Sequence, residues 1–153
     1  MPIRFATLSD VPAMVESAGR VHVLTRFGSK PYDAQKVAQA FTELIEQRKS
    51  KYGFFVAEDD AGRIVGTLIG VIEERILSDA CIACVMHLDV LPGSRRGDCA
   101  TKLLKAFETW SANRGAIEIE IGVGGAETRA LGRFARKMGY RAVGGNYLKQ
   151  AGA

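Results

Sequence analysis

The stretch from Leu88 to Leu104 reads Leu-Asp-Val-Leu-Pro-Gly-Ser-Arg-Arg-Gly-Asp-Cys-Ala-Thr-Lys-Leu-Leu, and it constrains the fold more tightly than any other part of the chain. An apolar strand stops at Pro92, which has no N–H for a ladder and a fixed φ. A short Gly/Ser/Arg turn follows, and apolar residues then recur at helical spacing. Strand, tight turn and helix in that order build an anion site. The first N–H groups of a helix lack intrahelical acceptors, and the positive end of the helix dipole points the same way. Arg95 and Arg96 add charge where a phosphate would dock, and Gly97 lets the backbone come close.

Around this segment the pattern alternates between strand and helix periods. Ile3–Ala6 reads as a short strand, and Ser9 or Asp10 caps a helix with Pro12 in its first turn. Val11, Met14, Val15 and Ala18 form that helix's inner face; Gly28 and Pro31 break it within Arg26–Tyr32. Asp33 caps a second helix striped by Val37, Phe41, Leu44 and Ile45. Phe54–Glu58 and Arg63–Glu73 are strands joined by the turn Asp59-Asp60-Ala61-Gly62, and Ala80–Leu91 is a third long strand. A helix from about Arg96 to Asn113 buries Ala100, Leu103, Leu104, Phe107 and Trp110. Ala116–Val123 alternates, with Ile117, Ile119 and Ile121 on one face and Glu118 and Glu120 on the other; a wet strand face or a cationic ligand both suit that pattern. Thr128–Lys137 is a last helix closed by Gly139, and Tyr140–Val143 and Asn146–Lys149 read as short strands around Gly144-Gly145. The sum is an α/β architecture of about seven strands and four helices, with residues 1–153 as a single domain.

Composition narrows the class. With 47% hydrophobic and 25% charged residues in 153, the chain has the makings of a packed core. It has no apolar run of membrane-spanning length and no signal-peptide core at its start, so a cytoplasmic protein without a membrane partner is expected. Cys81, Cys84 and Cys99 fit reduced thiols there, packed as small hydrophobes. The Cys81-x-x-Cys84 pair lies inside a strand and has no second ligand pair at metal spacing, so no metal is expected. The net charge is +4, but the basic residues are dispersed and form no nucleic-acid arm; a mild positive bias equally suits an anionic cofactor.

The order Val90-x-Pro92, Arg95-x-x-Asp98-x-Ala100, Leu103-Leu104 resembles motif A of the GCN5-related N-acetyltransferases, the GNAT superfamily. There an Arg/Gln-x-x-Gly-x-Gly/Ala turn wraps the pyrophosphate of acetyl-CoA. Arg95 and Ala100 fit, and Asp98 stands at the family's central glycine. The element order β-α-α-β-β-β-α-β-α-β-β is also that of the GNAT fold, which implies a mixed and mostly antiparallel sheet of about seven strands flanked by four helices, and the likeness runs from Ile3-Arg4-x-Ala6-x-x-x-Asp10 to Met138-Gly139-Tyr140. The segment Phe107-Glu108-x-Trp110 looks similar to phage- and prophage-encoded members.

The resemblance implies acetyl transfer from acetyl-CoA, the co-substrate, to an amine acceptor by direct attack. The acceptor would be a small molecule or a peptide, shaped by the first two helices and their loop, and a homodimer would be in keeping with the family. It places the pantetheine arm along the backbone of Leu88, Asp89 and Val90, and the pyrophosphate over Arg95, Arg96, Gly97, Asp98, Cys99, Ala100 and Thr101. Thr128 stands at a helix-start asparagine that contacts CoA. Ala135 stands where many members carry a tyrosine general acid, which leaves Tyr147 or water to donate that proton.

Deprotonating an amine near neutral pH needs a base. His87 titrates in the right range, and it shares a strand face with Asp89, opposite Met86, Leu88 and Val90. Glu73 and Glu74, at a strand end, are the other candidates. Each has a plainer reading: a hydrogen-bonded structural pair for His87 and Asp89, a solvated strand end for the glutamates. A non-catalytic CoA-binding or protein-interaction module on the same scaffold is the competing function, motivated by Asp98 and Ala135.

Overall fold

A computed structural model describes residues 2–47, 51–94, 97–122 and 128–152. Five strands lie in chain order across one sheet: β1 (Ile3–Phe5), β2 (Tyr52–Glu58), β3 (Ile64–Glu74), β4 (Cys81–Val90) and β5 (Glu118–Ile121). The first four pair antiparallel, β2 to β3 and β3 to β4 through short connections, and β5 pairs parallel to β4. That parallel step needs a crossover, and α3 (Cys99–Ala112) provides it. Before the sheet's long strands come α1 (Val11–His22) and α2 (Ala34–Glu46), and after β5 comes α4 (Thr128–Lys137).

The sheet buries both faces, and strand alternation assigns the residues. Phe55, Leu68, Ala83, Val85 and Val90 pack against Leu103, Leu104, Phe107 and Trp110 of α3, with Phe134 of α4 and Met138 just after it at the margin. Phe54, Val56 and Ile69 face the other way, against Met14 of α1 and Ile45 of α2. Two glycines set how close α3 comes. A Cβ on Gly70 would lie 2.1 Å from the Phe107 ring, and one on Gly66 would lie 2.6 Å from Cys99 Sγ. Phe107 in turn stacks on Trp110 at 5.6 Å, so the ring has no free direction.

Local signals seat the ends of these elements. Asp33 Oδ1 accepts from Lys36 N at 3.0 Å and caps α2 as expected. The β2–β3 turn closes through Asp59, whose Oδ1 accepts from Ala61 N and Arg63 N, with Gly62 at φ 77°. Gly139, at φ 91°, ends α4, and Tyr140 N reaches back to Ala135 O at 2.9 Å. Arg4 ties β1 to both neighbours: it donates to both oxygens of Asp10, at 2.7 and 2.9 Å, and through Nε to Glu58 at 2.8 Å. Asp10 sits in a short 3-10 turn, Leu8–Asp10, which precedes α1 in place of a simple cap.

Two expectations change. Among the described residues the sheet has five strands, not about seven. Arg141–Gly152 forms no strand and is exposed throughout, with Val143, Tyr147 and Leu148 in water. That stretch offers few apolar side chains around Gly144-Gly145, too few to offset the cost of ordering a further strand pair. The long helix also starts later than expected, at Cys99, because Asp98 takes the cap position.

Gly70→Ala will lower unfolding free energy by about 2–3 kcal/mol in chemical denaturation, as overpacking of a filled core does. Gly97→Ala, whose Cβ would meet only Ser94 O at 3.6 Å, will stay within about 0.5 kcal/mol of the parent. The Arg4 guanidinium holds the Asp10 carboxyl below its ordinary value. A carboxyl lowered by folding stabilises the native state above its unfolded pKa of about 3.9, and that gain is lost as pH falls through the lower folded value. Asp10→Asn will therefore cost about 1 kcal/mol at pH 7, with the half-exposed arginine discounted, and the gap to the parent will close in acid.

Candidate active site

The site is organised by where β4 changes partners. On one side β4 pairs with β3 from Cys81–Glu74 through to Val90–Gly66. On the other it pairs with β5 only from Ile82–Glu118 to Val85–Ile121. From Met86 to Asp89 the described strand pairing is with β3 alone. At the same place β4 carries a bulge: Val85 faces Gly70 and His87 faces Ile69, so Met86 is the extra residue. The bulge resets the alternation. Cys84, opposite Val71, and His87, opposite Ile69, share a face although they are three residues apart.

That face looks toward α1 and α2. Ser17, buried on the inner side of α1, donates to Asp89 Oδ2 at 2.7 Å. His87 is half-buried; burial pushes its imidazole below the ordinary value near 6.5, and the charge of Asp89 pulls the other way. Further along the same face the Cys84 thiol lies 3.9 Å from both Glu73 Oε2 and Glu120 Oε2. Burial, then Glu120 and Glu73, push that thiol up, so it stays protonated. Arg75 pairs with Glu120 at 3.4 Å. Glu73 and His87 are thus on one face without touching: four β3 positions, about 13 Å, separate Glu73 from Ile69, the partner of His87. Cys81 falls on the opposite face from Cys84, which rules out a bond between them, and all three cysteines are free. No group of three or more metal-ligating side chains occurs among the described residues.

Past β4 the chain turns into α3. Leu91 N bonds Val65 O at 2.9 Å, and Ser94 N bonds Leu91 O at 2.8 Å, closing the turn Pro92–Ser94. Arg95 and Arg96 lie outside the described residues. Gly97 is exposed. Asp98 occupies the N-cap position of α3, yet its side chain caps nothing. It bonds Lys102 Nζ instead, at 3.1 Å, and the ammonium holds the carboxyl below its usual range. The carboxylate that replaces the motif's glycine is therefore drawn along the helix and neutralised there. The first-turn N–H groups of Cys99, Ala100 and Thr101 keep no side-chain cap among the described residues. Cys99 points into the core beneath Gly66, so it offers only its backbone. This donor set, beside the β4 backbone through Asp89 that β5 does not pair, fits the pyrophosphate and pantetheine of CoA.

Tyr147 is not brought to this place and stands fully exposed on the segment after α4. Thr128 opens α4, and its side chain is outside the description. Ala135 is buried. Tyr140 donates to Glu108 Oε1 at 2.8 Å, on α3. His22 bonds Lys30 O at 2.8 Å, and Tyr32 donates to Val15 O at 2.6 Å. Both anchor the α1–α2 loop, whose Val23, Leu24 and Phe27 are exposed with the Arg26 guanidinium over the Phe27 ring at 4.8 Å. Sequence reasoning missed Ser17 and the placement of Cys84. For Ser17 the signal was a polar residue inside the apolar stripe that begins at Val11 and Met14; for Cys84 none existed without the bulge.

Comparison with known proteins agrees with the geometry. Residues 21–140 match the Acetyltransferase (GNAT) family. Among curated proteins, no sequence matches. Of solved structures, the chain is similar to an aminoglycoside antibiotic 6'-N-acetyltransferase from Acinetobacter haemolyticus, with TM-score 0.80 and 15% identity over 100% of this chain and 99% of that one. An acetyltransferase from Trypanosoma brucei gives TM-score 0.73 at 18% identity, covering 97% and 98%. A ribosomal-protein-alanine N-acetyltransferase from Brucella melitensis gives 0.75 at 14%, covering 98% and 99%. At these identities the structures establish shared fold, and the sequence match over most of the chain establishes kinship: this protein belongs to the GNAT acetyltransferase family.

Proposed function

We propose that the protein is an acetyl-CoA-dependent N-acetyltransferase, working in the cytoplasm on an amine borne by a small molecule or peptide. One observation carries the reading. The N-terminus of α3 keeps its first-turn donors uncapped, because Asp98 is tied to Lys102, and it adjoins the stretch of β4 that β5 leaves unpaired. Family membership supports the class of activity.

In this reading the backbone of Cys99, Ala100 and Thr101, with Gly97 and the Arg95 and Arg96 side chains, holds the pyrophosphate, and Thr128 adds a hydroxyl donor. Leu88, Asp89 and Val90 hold the pantetheine arm through their backbone. Bound acetyl-CoA supplies an activated thioester carbonyl. His87 takes the proton from the acceptor ammonium at its unprotonated ring nitrogen, and Asp89 stabilises the imidazolium so formed. Glu73, beside Cys84 and Glu120, attracts the cationic acceptor and is the second candidate base. With Ala135 buried and Tyr147 in water, solvent in the cleft returns a proton to the leaving thiolate. The same two residues favour a second reading, a CoA-binding module without turnover, which predicts binding but no thiol release.

Isothermal titration with acetyl-CoA and thiol release across a panel of amines test both. Binding with release supports the enzyme; absence of binding at millimolar ligand ends both readings. His87→Ala will lower turnover about 10²–10⁴-fold with affinity for CoA intact, and Glu73→Gln, farther along the face, will give the smaller loss. Unchanged turnover in both removes these residues from the chemistry. kcat/KM will rise with pH through a midpoint below the ordinary histidine value near 6.5. Lys102→Ala will weaken CoA binding several-fold by releasing Asp98 toward the helix N-terminus, and Asp98→Gly will not.

A further inference from the structure

We infer that Ser17 is a positioning residue for the base: its hydroxyl fixes the Asp89 carboxylate so that the carboxylate's charge acts on His87. The inference rests on the reading of His87 as base. A buried helical serine ordinarily gives its proton to a carbonyl one turn back on its own helix. Ser17 does not. Its Oγ donates 2.7 Å to Asp89 Oδ2, 72 residues away, and it is buried on α1 while Asp89 is half-buried on β4. That hydrogen bond leaves Oδ1 with no other side-chain donor among the described residues.

The surroundings make this carboxylate decisive. On β4, Asp89 shares a face with His87 and with Cys84, whose thiol is protonated. From β3 the facing residues are Thr67, Ile69 and Val71, and from α1 they are Met14 and Ser17, none charged. Glu16 and Arg20 of α1 pair with each other at 3.4 Å on the surface, and Glu73 and Glu120 gather at Cys84. Asp89 is therefore the charged group that opposes burial at His87. A carboxylate free to rotate would spend part of its time in water and act on the imidazole less. The bond also ties α1, which borders the acceptor side, to the strand that carries the base.

NMR titration of the two histidines in the parent, Ser17→Ala, Ser17→Thr and Asp89→Asn proteins tests this, alongside the pH profile of kcat/KM. In Ser17→Ala the His87 midpoint will fall by about half a pH unit, a fraction of what an adjacent opposite charge is worth. The acid limb of kcat/KM will move with it, His22 will not move, Ser17→Thr will restore the parent value, and Asp89→Asn will shift it farther. A His87 midpoint unchanged in Ser17→Ala while thermal stability falls overturns the inference and leaves Ser17 a packing residue. A midpoint that moves while the acid limb stays supports the Ser17–Asp89–His87 coupling and overturns His87 as base.

Discussion

β4 cannot serve two neighbours along its whole length, and most of what is distinctive here follows from that. Up to Val85 it is paired on both sides; from Met86 it keeps β3 and loses β5. The bulge at Met86 twists the strand at the point of parting and turns Leu88 and Val90 toward α3, His87 and Asp89 toward α1. Because α3 must return β5 to lie parallel beside β4, its N-terminus starts just beyond β4. Backbone left unpaired by β5 and a helix N-terminus are thereby adjacent without any side chain having to bring them together. Gly66 and Gly70 complete the arrangement by letting α3 lie close on the sheet, with Phe107 in the space a Cβ would take.

On this scaffold, two carboxylates are governed by what holds them. Asp98 sits where an acidic group would repel a phosphate, and Lys102, one turn on, draws it away. Asp89 sits where an acidic group helps a half-buried imidazole, and Ser17 keeps it there. The same chemical group is a hazard in one place and an aid in the other. At this position the motif's central glycine gives way to an aspartate whose cationic partner stands at the i+4 position of the helix.

Much of the fold was legible because local chemistry and tertiary structure agree. The stripes of α1 to α3, the Asp33 cap, the Asp59–Gly62 turn, the alternation of β5 and the closing Gly139 all depend on residues a few positions apart. The passage from β4 into α3 was legible for the same reason, since Pro92 and the helix that follows are neighbours in sequence. What was not legible depends on pairing. Alternation alone puts Cys84 opposite His87, and only the extra residue at Met86 brings them to one face. Ser17 looked like an imperfection in an apolar stripe until β4 supplied its acceptor. The chain after Gly139 has turn glycines and alternating residues, the local marks of a hairpin, but Val143 and Leu148 do not bury enough to hold one against β5.

Amide hydrogen exchange with and without CoA bears most directly on the proposal that this seam is the cofactor site. Slowed exchange in β4 beyond Val85 and at Cys99 to Thr101, with the α2-facing strand β2 unchanged, is the expected result. Protection that leaves both segments untouched, or that appears only in the α1–α2 loop, would place the ligand elsewhere and contradict it.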